Sequence, residues 1–232
     1  GEQVYGCTSP LWAVLLGLAM GLHLDGLGAA RVLGLFATLA SVWLFLQLMR
    51  RTLRTPTLRG AATIAWAGHA WMLRWSVSGM ETPLAVALVL AGFVAFTDRR
   101  PWGSRPALTA ALWSLAALVR PEVTYLLALW LVFAWRTRDS AHVGRWRLAA
   151  TLPPLLIYGG WLIFARVYFG SWWPETLAAK GAGELALLDR VALVWREIKI
   201  VGATDGVWLL MFAVAWWRVR PRPAIPRRAE PW

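Results

Sequence analysis

A carboxylate sits in the stretch Ser78-Gly79-Met80-Glu81-Thr82-Pro83, between two apolar runs, and a second charged turn, Arg120-Pro121-Glu122, separates two more. These residue types in such a setting permit a narrow chemistry. A guanidinium presents a planar fork of N–H donors that can grip an oxyanion at two points, whereas a Lys ammonium is a compact point charge. Arg120, Lys180 and Arg74, the last flanked by Trp71 and Trp75, are the candidate cations. Glu81 and Glu122 suit hydrogen bonding to hydroxyl groups or the orientation of an Arg. A neighbouring cation keeps a carboxylate ionised, so a general-base role for Glu81 requires a pKa raised by burial. Each candidate also has an ordinary reading. Arg120 and Glu122 can neutralise each other at an exposed turn, Arg74 can snorkel from a helix end, and Lys180 can be a solvated loop charge.

The elements that must position these residues are apolar runs. The chain has 232 residues, 59% of them apolar and 18 of them Trp, with short Arg clusters between the runs. This is the pattern of an all-α, polytopic membrane bundle. Seven spans are expected, near 30–49, 60–77, 83–97, 107–119, 123–135, 148–165 and 206–217. The shorter run 10–24 reads as a juxtamembrane helix, and Pro153-Pro154 as a kink. Leu188, Val191, Ala192, Trp195 and Ile198 fall on one face of a helix over 184–199, which suits the outer leaflet surface.

Charge assigns the sides. The loops 50–59, 98–105 and 136–147 and the tail from 218 hold most of the 24 basic residues, yet only Asp98, Asp139 and Glu230 of the 12 acids. The positive-inside rule makes that side cytoplasmic, with the N-terminus outside and the C-terminus inside. The net charge of +12 is then mostly topology, and a nucleic-acid partner is excluded because the basic residues do not cluster on a soluble face. Glu81, Arg120, Glu122 and Lys180 all fall on the outer side. The spans 83–97, 107–119 and 123–135 supply only about 20 Å of helix each against a hydrocarbon thickness of about 30 Å. Their outer turns are therefore expected below the outer surface, where charge is tolerated only around a water-filled or protein-lined cavity.

The segments "GEQVYGCTSPLW", "SGMETPLAVAL", "RPE" at 120–122 and "YFGSWWPETLAAK" occur in this order over residues 1–180. Together they resemble the integral-membrane glycosyltransferases of the GT-C superfamily, in the bacterial branch that includes the actinobacterial terminal arabinofuranosyltransferases. The resemblance implies a polyprenyl-phosphate-linked sugar as donor and a cell-envelope glycan or lipid-linked acceptor at the outer face of the plasma membrane. It implies inversion at the anomeric carbon and no cofactor. In such enzymes the general base is an acid in the first outer loop, a position that would precede Gly1, so the chain is expected to be truncated at both ends and inactive alone, with its catalytic residue unknown. Arg120 and Lys180 then become the cations for the donor phosphate. Arg74, Glu81, Glu122 and Thr8 of the opening segment complete the expected substrate-binding set. Cys7 and Pro174-Glu175-Thr176 depart from the usual family pattern and leave specificity open. A transporter or flippase and a non-catalytic membrane subunit are the competing classes.

Other features carry less. A single Cys precludes an intramolecular disulfide, and no His or Cys stands at ligand spacing for a transition metal. His69, in the middle of the expected span 60–77, reads as a neutral packing residue beside Trp66 and Trp71. Gly17 and Gly21 form a GxxxG pair that would permit close helix approach. Trp43, Trp113 and Trp161 are expected to pack helices.

Overall fold

Proline begins many of the helices, because its fixed φ and missing N–H cost nothing in a first turn. Pro10, Pro56, Pro83 and Pro106 each stand at such a position. The computed structural model describes residues 5–98, 105–136, 143–172, 174, 195, 196 and 199. In order these form α1 (Pro10–Gly21), α2 (Gly26–Thr52), α3 (Pro56–Ala67), α4 (Ala70–Val77), α5 (Thr82–Phe96), α6 (Pro106–Val119), a 3-10 turn (Pro121–Val123), α7 (Thr124–Arg136), α8 (Val143–Pro154), a π turn (Leu155–Gly159) and α9 (Gly160–Phe169). The described residues are all-α, with no strand. The named helices belong to one compact unit, Gly1–Ala182.

α5 packs between α2 and α6, and α6 packs in turn on α8. Small residues make these approaches close: Gly34, Ala37 and Ser41 on α2, Ala85, Gly92 and Ala95 on α5, and Ala110, Ser114 and Ala117 on α6 are buried. Close packing of small residues is how helices associate where the solvent is itself apolar. At Gly92 the need is absolute. A Cβ there would lie 2.1 Å from Nε1 of Trp113, whose indole N–H donates to the Val89 carbonyl at 3.1 Å. Trp113 is 3% exposed and forms a core with Leu127 and Trp130, against which Phe93, Phe96 and Trp146 pack. The buried hydroxyls of Ser41 and Ser114 donate back to Thr38 and Ala110 carbonyls, so burial leaves neither unpaired.

α8, the π turn and α9 run on as one helix through Pro153-Pro154. The two prolines supply no N–H to the preceding turn, and the wider π turn directly after them absorbs the mismatch. This helix, Gly144–Phe169, and α2 are long and apolar enough to cross a membrane, with mean hydropathy of 1.6 and 2.0 over their best windows. Only 17% and 22% of those windows are buried, whereas the core helix of a soluble domain would be mostly covered. Phe36, Leu39, Leu155 and Ile163 instead point away from the protein, each more than half exposed.

Several expectations change. Among the described residues two helices are clearly long enough to span, while α5, α6 and α7 have 15, 14 and 13 residues, so a seven-span bundle does not emerge there. The run 60–77 is not one helix. It breaks at Gly68-His69 between α3 and α4, and His69 takes extended backbone angles ahead of Ala70, so it stands at a helix boundary and not in the middle of a span. Among the described residues nothing lies within 4 Å of a Cβ at Gly17 or Gly21. Trp43 is 58% exposed rather than packed. The run 206–217 and the tail from 218 lie outside the described residues, as does the segment 184–199 except for Trp195, Arg196 and Lys199.

Candidate functional site

Proline and glycine shape the two charged turns. Pro121 disfavours helical angles at the residue before it, and Arg120 is accordingly extended, at φ −139° and ψ 117°, which ends α6. Gly79 takes φ +76°, a left-handed angle that lets the chain reverse between α4 and α5. The Ser78 hydroxyl reinforces this reversal by accepting from the Met80 N–H and donating to the Trp75 carbonyl. Glu81 follows at the head of α5. The two turns meet: Nη1 of Arg120 lies 3.1 Å from Oε1 of Glu81, with the Glu side chain 12% exposed and the Arg 35%. The pairing of Arg120 with Glu122, expected as an ordinary alternative, is not what forms. Residues two apart do not face each other on a helical turn, and the carboxylate of Glu81 arrives from another helix.

Beside this pair lies a cavity of about 350 Å³. Its walls come from the opening segment (Tyr5, Thr8), the end of α6 (Ala117, Leu118), the 3-10 turn and start of α7 (Pro121, Glu122, Thr124, Tyr125), the π turn and α9 (Tyr158, Trp161, Leu162), and Trp172 with Pro174. The π turn carries Tyr158 into the wall, and such turns recur at functional sites because they re-aim side chains. Trp161 donates its indole N–H to the Tyr5 hydroxyl at 2.9 Å. Tyr5 also stacks on Phe169, ring centroids 5.0 Å apart and 10° from parallel. Burial raises the Tyr5 pKa above its usual 10.0, more than the Trp161 hydrogen bond lowers it, and Cys7 adds a small push upward. The phenol is therefore neutral and retains its own proton to donate. Thr124 closes the turn below Glu122 by donating to the Pro121 carbonyl.

Of the expected site residues, Thr8 and Glu122 line the cavity. Arg120, next in sequence to Pro121 of the wall, and its ion-pair partner Glu81 are not part of the wall. Arg74 stands apart on α4, its guanidinium carbon 5.6 Å from the ring centres of both Trp71 and Trp75. Lys180 lies outside the described residues. Tyr5, Tyr125, Tyr158, Trp161 and Trp172 were not among the expected residues. Aromatic side chains in a Trp-rich apolar chain carry no signal of their own, and only the irregular helix after Pro153-Pro154 hinted that a wall residue follows.

The cavity can hold a ligand that offers flat apolar faces to its aromatic rings and hydroxyls to Glu122, Thr8 and Tyr5. Pockets that are mostly apolar with a few placed polar groups are the usual form of a small-molecule site. Among the described residues no three His, Cys, Asp or Glu side chains converge as metal ligands would. No model of a known protein family, no curated protein and no solved structure matches the chain.

Proposed function

We propose that this chain works in glycosyl transfer at the outer face of a bacterial plasma membrane. It crosses the membrane several times with its Arg-rich loops in the cytoplasm. It holds a sugar carried on a polyprenyl phosphate for transfer to a cell-envelope glycan or lipid-linked acceptor. One observation carries the reading: an aromatic-walled cavity with Glu122 as its carboxylate, at the end of the helices opposite the Arg-rich loops.

In this reading the sugar ring stacks on Trp161 and its neighbours. Glu122 accepts hydrogen bonds from sugar hydroxyls, and the neutral Tyr5 hydroxyl donates one. Arg120, held in place by Glu81, faces the donor phosphate as it leaves, and charge-assisted bonds from a fixed fork suit that task. Lys180 is the second cation. The acid that deprotonates the acceptor is not assigned to Glu81 or Glu122.

The test is native mass spectrometry of the full chain in lipid nanodiscs, with a polyprenyl-phosphate sugar and the bare polyprenyl phosphate in competition. The sugar-bearing lipid should be retained preferentially, and Trp161→Ala or Glu122→Gln should abolish the preference. Equal retention of the two lipids by the unaltered chain would refute the reading. A transporter or flippase is favoured by a different observation, the helix break at Gly68-His69, since interrupted helices line substrate paths in transporters. Movement of the lipid-linked sugar across proteoliposomes by the chain alone would select that reading.

A further inference from the structure

We propose that Arg74, lying alongside the Trp71 and Trp75 rings, binds the phosphate of an anionic phospholipid in the outer leaflet. The inference rests on the membrane insertion proposed above and not on the glycosyl-transfer chemistry. α4 divides its faces by the helical period. Met72 and Ser76 are buried, and the Ser76 carbonyl lies so near Gly34 of α2 that a Cβ there would stand 2.9 Å from it. Leu73 and Val77, on the other side, are 55% and 63% exposed, and Arg74 shares that exposed, apolar face.

Trp71 and Trp75 stand three residues before and one after Arg74, with ring centroids 6.1 Å apart and 14° from parallel. The guanidinium carbon lies 5.6 Å from the centre of each ring, within cation–π reach of both. That contact restrains the long side chain while using no oxygen acceptor, so the planar fork is ordered in advance and its N–H donors are unspent. Among the described residues Arg74 has neither a carboxylate nor a carbonyl partner, in contrast to Arg120 on Glu81 and Arg59 on the Leu53 carbonyl. An Arg on a lipid-facing surface needs an anion or water. Arg74 is one turn from the end of α4, just below the turn that carries Glu81. From there a long Arg side chain can carry its charge up to the headgroup region, where Trp rings also settle, and the anion there is a lipid phosphate.

Full-length chain is placed in nanodiscs of equal phosphatidylglycerol and phosphatidylcholine, and lipids surviving stepwise activation are counted by native mass spectrometry. The unaltered chain should keep one phosphatidylglycerol after the others are stripped. Arg74→Gln should lower its occupancy about fivefold, the worth of one basic residue at a membrane surface, and Arg74→Lys should lower it less. Unchanged occupancy in Arg74→Gln overturns the site. Carbonate washing of the membranes separates the two claims: a chain that stays with the bilayer keeps the membrane reading even if the Arg74 site fails. A chain that washes off overturns both.

Discussion

The two ends of the helix bundle use arginine differently. At the Arg-rich end several guanidinium groups finish on the protein's own backbone, while Arg105 pairs with the Asp98 carboxylate at 3.1 Å. Arg51 of α2 donates to the Val94 carbonyl and, at 3.2 Å, to the Thr97 hydroxyl at the close of α5. Arg59 bonds the Leu53 and Arg54 carbonyls beyond α2, and Arg147 bonds the Trp135 carbonyl near the end of α7 while lying over its ring. The last carbonyls of a helix lack partners and carry the negative end of its dipole, so arginines such as Arg51 and Arg147 close helix ends. At the opposite end Arg120 meets a carboxylate from another helix, next to a cavity. One end is sealed by backbone and aromatic packing, and the other is left open around charge. In the proposed topology loop charge assigns the cytoplasmic side, and the inter-helix pair of Arg120 with Glu81 beside a cavity marks the end proposed to bind.

The largest expected effect lies in the sealed end. Gly92→Ala places a methyl group inside the Trp113 indole and should displace it, costing about 3 kcal/mol by overpacking and lowering the melting temperature in detergent by several degrees. An unchanged melting temperature would mean that α5 and α6 are not packed as described. Arg51→Met should come next, at about 2 kcal/mol for hydrogen bonds made by a charged donor, read by the same melt, with no loss of ligand retention in nanodiscs. Glu81→Gln should cost less, about 1 kcal/mol, because solvent already reaches a third of Arg120. It should nevertheless weaken retention of the polyprenyl-phosphate lipid more than Arg51→Met does. Reversal of that order would erase the distinction between the two ends. The smallest effect concerns Tyr5. Its folded pKa is raised, so below about pH 10 it adds no pH dependence. Above that, the unfolded chain releases the phenol proton while the folded chain retains it, and stability should fall as pH rises. Tyr5→Phe should flatten that decline in an alkaline melt series.

Much of the helical layout could be read from residues. The runs beginning at Pro10 and Pro83 do open helices, whereas Pro56, read as part of the basic loop 50–59, opens α3, and Thr8 and Glu122 line one cavity. The rest failed for identifiable reasons. Glu81 and Arg120 lie far apart in sequence, and no local rule pairs residues across helices, so the nearer Glu122 looked like the partner. Nothing but Gly68 marked the break at His69, and an isolated Gly is tolerated inside helices. The Gly17/Gly21 motif has the right spacing and, among the described residues, nothing within 4 Å of a Cβ at either glycine. Trp161 was assigned to packing because its run is apolar. Its hydrogen bond to Tyr5, at the far end of the sequence, is a tertiary fact that no window over either segment contains.

Cys7 gives the most direct access to the central claim, that the cavity end faces outward and takes a lipid-linked sugar. It is the single cysteine of the chain, partly exposed, and two residues from Tyr5 in the cavity wall. In intact cells a membrane-impermeant maleimide should label Cys7, and a polyprenyl-phosphate sugar should slow the labelling, whereas a Cys introduced by Arg59→Cys in a Cys7→Ser background should react only after the membrane is opened. Labelling of Cys7 only after permeabilisation, or at a rate indifferent to the lipid-linked sugar, would contradict the account.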